Sequence, residues 1–198
     1  MRMWWMPDYY VKSVTDLRPA CLQNLNIKGL CIDVDCTLTD YVSNNLPPEV
    51  AQWLDQIRHN GINVCLLSNG GKRRIKRLAD RIGVPYVARA MKPLPFGCHR
   101  ALRELGLPRS EVAIVGDQLF ADVLAGRWAG VRTILVVPRG ADREGLITKW
   151  KRPLERLLLK SLTPKSLASC SQEANAEDRV KRGDSSLGGT ASADEPRV

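Results

Sequence analysis

Short apolar runs alternate along the chain with stretches in which apolar positions recur every three or four residues. Residues 30–34 form an apolar run that reads as a buried strand. PPEVAQWLDQI follows, with prolines suited to a helix N-terminus and Val50, Leu54 and Ile57 on one face. A second strand is expected over 63–67. A helix is expected over 72–82, with Ile75, Leu78, Ala79 and Ile82 aligned and Gly83 closing it. Then come a short strand at 85–88, a helix over 94–105 stopped at Gly106, and a strand at 112–115. A further helix is marked by Phe120, Leu124 and Trp128 and ended by Gly130, and the last strand covers 133–137. This βαβαβαβαβ rhythm predicts an α/β fold: a Rossmann-like parallel sheet flanked by helices on both faces.

Composition refines this picture. The 198 residues are 44% hydrophobic, enough for one domain with a sizeable core. From about residue 165 the chain has almost no large apolar side chains, so the expectation is a disordered tail over 165–198. The remaining organisation reads as a flanking segment at 1–26, a core at 27–145 and a basic amphipathic helix at 146–164. The net charge is +9, and the stretch from Ser166 on holds six acids and four bases, so the positive excess lies before it. Such a surface favours anionic partners. The six cysteines form no CxxC pair, and Cys31 and Cys65 lie inside apolar runs, which predicts reduced, packed thiols. His59 and His99 read as surface residues. No run of 18 apolar residues occurs, so no transmembrane segment is expected. The start, MRMWWMPDYY, is interrupted by Pro7 and Asp8 and lacks the pattern of a signal peptide. The expected location is cytoplasmic.

The polar residues fall where a parallel sheet binds ligands, beyond the carboxyl ends of its strands. The first strand ends in Asp33 and Asp35, followed by Thr37. The second ends in Ser68, Asn69 and Gly70. The third leads to Lys92-Pro93, and the fourth ends in Gly116, Asp117 and Gln118, with Asp122 a turn further on. Converging carboxylates repel unless a cation neutralises them. A hard cation with oxygen ligands, Mg²⁺, suits a few carboxylates completed by water and substrate phosphate. Thr37, Ser68, Asn69 and Lys92 are donors suited to phosphoryl oxygens. A carboxylate can attack phosphorus and form an acyl phosphate, and a second one two residues on can move the protons. Other roles stay open: Asp122 as a partner of a helix dipole, Lys92 as a solvated lysine, Asn69 as a turn residue.

DVDCTL, SNG, KP and GDQLFADV, in this order, resemble the haloacid dehalogenase (HAD) superfamily of phosphohydrolases. GVPYVARAMKP, GDQLFADVLAGRWAGVRTILVVP and TKWKRPLERL bring the chain closer to its YqeG-type branch, within subfamily IIIA, which includes phosphatidylglycerophosphate phosphatases. The resemblance covers roughly residues 15–160. It implies that Asp33 is the nucleophile and a metal ligand, and that Asp35 is the general acid/base and touches the metal through its main-chain carbonyl. It implies that Thr37 and Ser68 hold the phosphate with Asn69 beside them, and that Lys92 neutralises the phosphoaspartate. Asp117 becomes a metal ligand and Asp122 a support of the metal shell. The branch usually has Asn where Cys36 stands.

The segments between Asp35 and Ser68, and between Ser68 and Lys92, leave no room for a cap domain. An open site admits a phosphate on a large body. The expected function is therefore a Mg²⁺-dependent phosphatase acting through an aspartyl phosphate, with phosphatidylglycerophosphate as substrate. Two alternatives remain: a phosphatase for another soluble or protein-bound phosphomonoester, and a basic RNA- or ribosome-binding protein on an idle scaffold. The second is disfavoured by the retained acids and by the lack of an aromatic RNA-binding motif. Trp4, Trp5, Met6, Tyr9 and Tyr10 suit an interfacial anchor. The basic helix near Trp150 suits an anionic lipid surface, which would add peripheral contact at the inner membrane face; the alternative for both stretches is packing on the core or on each other.

Overall fold

The computed structural model describes residues 5–40 and 45–139. The basic amphipathic helix and the disordered tail expected from the sequence lie outside the described residues, as does Trp4. Six strands form one sheet: β1 (Tyr9–Val11), β2 (Gly29–Ile32), β3 (Asn63–Leu67), β4 (Tyr86–Val87), β5 (Val112–Gly116) and β6 (Arg132–Val136). Their order is β1-β6-β5-β2-β3-β4, and every pair is parallel. The connecting helices are α1 (Pro19–Asn24), α2 (Pro48–His59), α3 (Lys72–Ile82), α4 (Phe96–Leu105) and α5 (Leu124–Ala129). No inserted domain interrupts the described residues.

The period-two alternation of side chains divides the core into two layers. Leu30 and Ile32 of β2, Val64 and Leu66 of β3, and Ala113 and Val115 of β5 pack with α1, α2 and α3. Their neighbours Cys31, Cys65, Leu67, Val112 and Ile114 pack with α4 and α5. The central strands are buried on both faces, which is why they read as continuous apolar runs. Cys31, Cys65 and Cys98 share the second layer as free thiols. Burial pushes Cys65 and Cys98 up to about 12 and raises Cys31 well above its ordinary value. At neutral pH these are inert packing groups.

The helix ends follow the sequence signals. Pro48 opens α2, and Gly83, Gly106 and Gly130 close α3, α4 and α5 with left-handed backbones. One strand escapes the sequence pattern. β1 is only three residues long, and its place is set by its neighbour: Tyr9, Tyr10 and Val11 register with Ile134, Leu135 and Val136. Asp8 locks it there, its carboxylate accepting from the Thr133 N–H and hydroxyl at 2.9 and 3.0 Å and pairing with Arg127 at 3.0 Å. Of the two roles open to the N-terminal aromatics, the described residues show packing on the fold. Tyr9 packs on the main core, and Trp5 and Tyr10 pack against Leu119, Val123 and Leu135. Half-buried in this way, they belong to the fold.

Candidate active site

Strand order reverses about β2 and β5, so a crevice opens beyond their carboxyl ends. Asp33 is the first residue past β2, and its N–H still donates to the Val115 carbonyl of β5 at 2.8 Å. That bond carries the sheet's geometry one residue beyond the strand and fixes where the carboxylate points. The next residues fold back: the N–H groups of Leu38 and Thr39 both reach the Val34 carbonyl, at 3.0 and 3.1 Å. The turn forces Cys36 into the left-handed region at φ 62° while its side chain stays buried. Asn tolerates this conformation better than Cys does. Cys36→Asn should therefore stabilise the protein by up to about 1 kcal/mol without loss of activity. A thermal melt checks this, and a drop would mean that the packed thiol outweighs the backbone relief.

Asp33 is buried, with 4% of its surface exposed. Its Oδ1 accepts from Lys92 Nζ at 2.5 Å, and the same ammonium donates to Asp122 Oδ1 at 2.5 Å and to the Leu67 carbonyl at 3.0 Å. Lys92 thus uses all three donors inside the protein. Burial alone would lower its pKa, but Asp122 and Asp33 outweigh burial and hold it above the ordinary value. Burial raises Asp33 to about 7; Lys92 opposes the rise and Asp122 adds to it. Asp117 is also buried, and carboxylate oxygens of Asp33, Asp117 and Asp122 lie within 4.8 Å of one another. Lys92 is shared by Asp33 and Asp122, and crowding three carboxylates this closely favours a further cation among them. Asp33 Oδ2 and the buried hydroxyl of Thr37 have no hydrogen-bond partner among the described residues. Buried polar atoms left this way mark a place for a ligand. Hard oxygen donors at this spacing suit Mg²⁺.

The remaining site residues divide by contact. Ser68 is buried at the end of β3, its Oγ accepting from the Gly70 N–H at 3.0 Å. The carboxamide of Asn69 spans the main chain of Lys92, accepting from its N–H at 2.8 Å and donating to its carbonyl at 3.0 Å. The structure therefore gives the Asn69 side chain to the positioning of Lys92, a different contact from the phosphate expected for it. Asp122 accepts from Lys92 on one oxygen and from the Gln118 N–H on the other at 3.1 Å, which is more than a partner of a helix dipole. Asp35 is half-buried and forms an ion pair with Arg74 of α3.

These motifs, in this geometry, have relatives among known proteins. A model of haloacid dehalogenase-like hydrolases matches residues 40–130. The probable phosphatase YqeG of Bacillus subtilis (strain 168) is 35% identical over 165 residues, covering 83% of this chain and 95% of that protein. The chain belongs to the haloacid dehalogenase-like hydrolases. It is a phosphatase of that family. It is also 26% identical over 175 residues to phosphatidylglycerophosphate phosphatase 1, chloroplastic/mitochondrial, of Arabidopsis thaliana, covering 84% of this chain and half of that protein. A hypothetical protein from Xanthomonas campestris shares the fold, with a TM-score of 0.50 at 17% identity over 91% of this chain and all of the other.

Two residues of this phosphatase gain their importance only in three dimensions. Arg74 is one, because its partner Asp35 lies 39 positions away. Gly116 is the other: a Cβ there would clash with the carboxylate of Asp122. Glycine ends β5 because the carboxylate bound to Lys92 occupies the space that any side chain would need. Gly116→Ala should displace Asp122, destabilise the protein by about 1–3 kcal/mol and cut activity sharply. Melting temperature and turnover measured together test this, and near-normal values in both would show that the loop yields freely.

Proposed function

We propose that this phosphatase hydrolyses phosphatidylglycerophosphate to phosphatidylglycerol, with Mg²⁺, through a phosphoaspartate on Asp33. The observation that carries the chemistry is the buried carboxylate of Asp33, held at 2.5 Å by Lys92 and left with an unpartnered Oδ2 beside Asp117. Asp33 attacks phosphorus, and the bond from phosphorus to the lipid oxygen breaks. The leaving oxygen takes a proton from Asp35. Asp35 then accepts a proton from water as that water attacks the acyl phosphate, releasing phosphate and regenerating the Asp33 carboxylate. Lys92 neutralises charge on Asp33 throughout. Thr37 and Ser68 offer hydroxyls to the phosphoryl oxygens, with Asn69 setting Lys92 in place. Arg74 is a second cation facing the site and suits the same anionic oxygens.

Asp33 and Asp117 would hold the metal ion, with the Asp35 main-chain carbonyl, and Asp122 would support the shell through its bonds to Lys92 and Gln118. When bound, the ion supplies positive charge to the phosphoryl oxygens. The lipid substrate is supported by the relative named above and by the absence of an inserted domain over the site among the described residues. Phosphate release should be measured with Mg²⁺ on phosphatidylglycerophosphate in vesicles and on a panel of soluble phosphomonoesters. The expected result is the highest kcat/KM on the lipid. A soluble ester turned over better would overturn the lipid reading and leave the phosphatase chemistry standing.

A further inference from the structure

Among the described residues the exposed large apolar side chains are Met91, Leu94, Phe96, Trp128 and Val137. All but Trp128 stand at the carboxyl end of the sheet, where the site opens. Three fall within one six-residue stretch that contains Lys92: Met91 is 54% exposed, Leu94 42% and Phe96 55%. Lys92, between them, is buried and turned inward to Asp33 and Asp122. This loop buries its charged member and puts its apolar members in water, the reverse of ordinary burial. Single exposed apolar residues need no explanation, but a concentration of them beside a site does.

The rim is also held in place. Met91 sits in the left-handed region at φ 58°, an unfavourable backbone for a side chain of its kind. The Ala90 N–H bonds the Ser68 carbonyl at 3.0 Å, the Leu94 N–H bonds the Met91 carbonyl at 2.9 Å, and Asn69 clamps Lys92. Beside the rim, along the free edge of β4, runs a groove of about 870 Å³ lined by Lys72, Arg89, Arg100 and Arg103 against Asp80 and Glu104. Asp80 is paired with Lys76 at 2.7 Å. The Arg89 N–H bonds the Gly70 carbonyl at 3.2 Å, which ties this lining residue to the loop that follows Ser68.

Apolar side chains flanked by cations match the boundary of an anionic bilayer, apolar within and negative at its surface. A second copy of this chain fits less well, since the same cations would face each other in a protein of net charge +9. We infer that Met91, Leu94 and Phe96 are the surface by which this phosphatase seats on an anionic phospholipid bilayer, with Lys72, Arg89 and Arg100 facing the headgroups. A phosphomonoester headgroup is thereby presented to Asp33 without leaving the membrane. The inference rests on the lipid reading above and deepens it. The contact is peripheral: no helix among the described residues is long and apolar enough to cross a membrane.

Flotation of the full chain with phosphatidylcholine vesicles, with and without phosphatidylglycerol, tests it. Wild type should float with the anionic vesicles only. Met91→Ser/Leu94→Ser/Phe96→Ser should bind them at least about tenfold more weakly. Lys72→Gln/Arg89→Gln/Arg100→Gln should lose up to about fivefold per cation and respond less to salt. Both variants should hydrolyse p-nitrophenyl phosphate as wild type does. If the triple apolar variant loses that activity through misfolding, Phe96→Ser alone carries the test, with a partial loss of flotation expected. The inference is overturned if wild type does not float or if the apolar variant floats equally well. It is also overturned if the apolar substitutions only convert a dimer to a monomer. Flotation through the rim without cleavage of phosphatidylglycerophosphate would leave the surface standing and refute the substrate. Cleavage of that lipid with unchanged flotation of the variant would do the opposite.

Discussion

Asp33→Asn should abolish turnover while leaving the protein folded and, in its metal-free form, more heat-stable than wild type. The loss follows from the chemistry. An amide cannot attack phosphorus and leave as a carboxylate, and removal of a covalent nucleophile typically costs about 10⁴-fold or more in kcat. The gain in stability follows from the charges. Asp33 and Asp122 share the ammonium of Lys92, and carboxylate oxygens of these two and of the buried Asp117 lie within 4.8 Å of one another. Asn is nearly isosteric and uncharged, so it keeps the packing, removes one repelling charge and leaves Lys92 paired with Asp122. A gain of about 1 kcal/mol raises the melting temperature by roughly 2–4 °C in a protein of this size. Such opposed changes in activity and stability mark a residue kept for chemistry at the expense of the fold. Turnover near the wild-type level would refute the role of Asp33, and a lower melting temperature would refute the electrostatic account of the site.

Lys92→Met should have the opposite effect on stability. Met fills much of the same volume but leaves Asp33, Asp122 and the Leu67 carbonyl without their shared donor. Breaking a buried ion pair from one side costs about 3–5 kcal/mol. Here two carboxylates lose their partner at once, so the upper part of that range is expected at neutral pH. The deficit should shrink as pH falls, because protonating the stranded acids removes their repulsion. It should also shrink on adding Mg²⁺, which can bind the folded form. Denaturant melts at several pH values, with and without Mg²⁺, measure both effects. A variant as stable as wild type in metal-free buffer at neutral pH would show that Lys92 does not offset the charge of the acids.

The parts of this molecule that were legible in the sequence are those whose signal is local. The central strands are buried on both faces and so read as apolar runs, and α2, α3 and α4 carry their buried faces at helical spacing. The residues brought together at the site were legible for a related reason. Asp33, Lys92, Asp117 and Asp122 sit just past strands, where polar residues have no packing reason to occur. What escaped depends on contacts far apart in the chain. β1 is a strand because β6 offers it an edge, and Asp8 and Thr133, 125 positions apart, fasten it there. The segment Leu119–Val123 winds as a π-turn before α5, where the sequence suggests one continuous helix. That extra residue per turn accompanies the burial of Asp122 against Lys92. The contact of Asn69 with Lys92, the pairing of Arg74 with Asp35 and the space above Gly116 are likewise invisible to any pattern along the chain.

The most direct measurement is to trap the covalent intermediate. The full chain is mixed with Mg²⁺ and a phosphomonoester, quenched during turnover, reduced with borohydride and digested for mass spectrometry. An acyl phosphate on an aspartate is reduced to homoserine, so the site of attack is read as a mass change at one residue. That change is expected at Asp33, dependent on substrate, and should be absent in Asp33→Asn. Reduction at Asp35, Asp117 or Asp122 instead, or steady turnover in Asp33→Asn with no reduced residue at position 33 in wild type, would contradict the role of Asp33 as nucleophile.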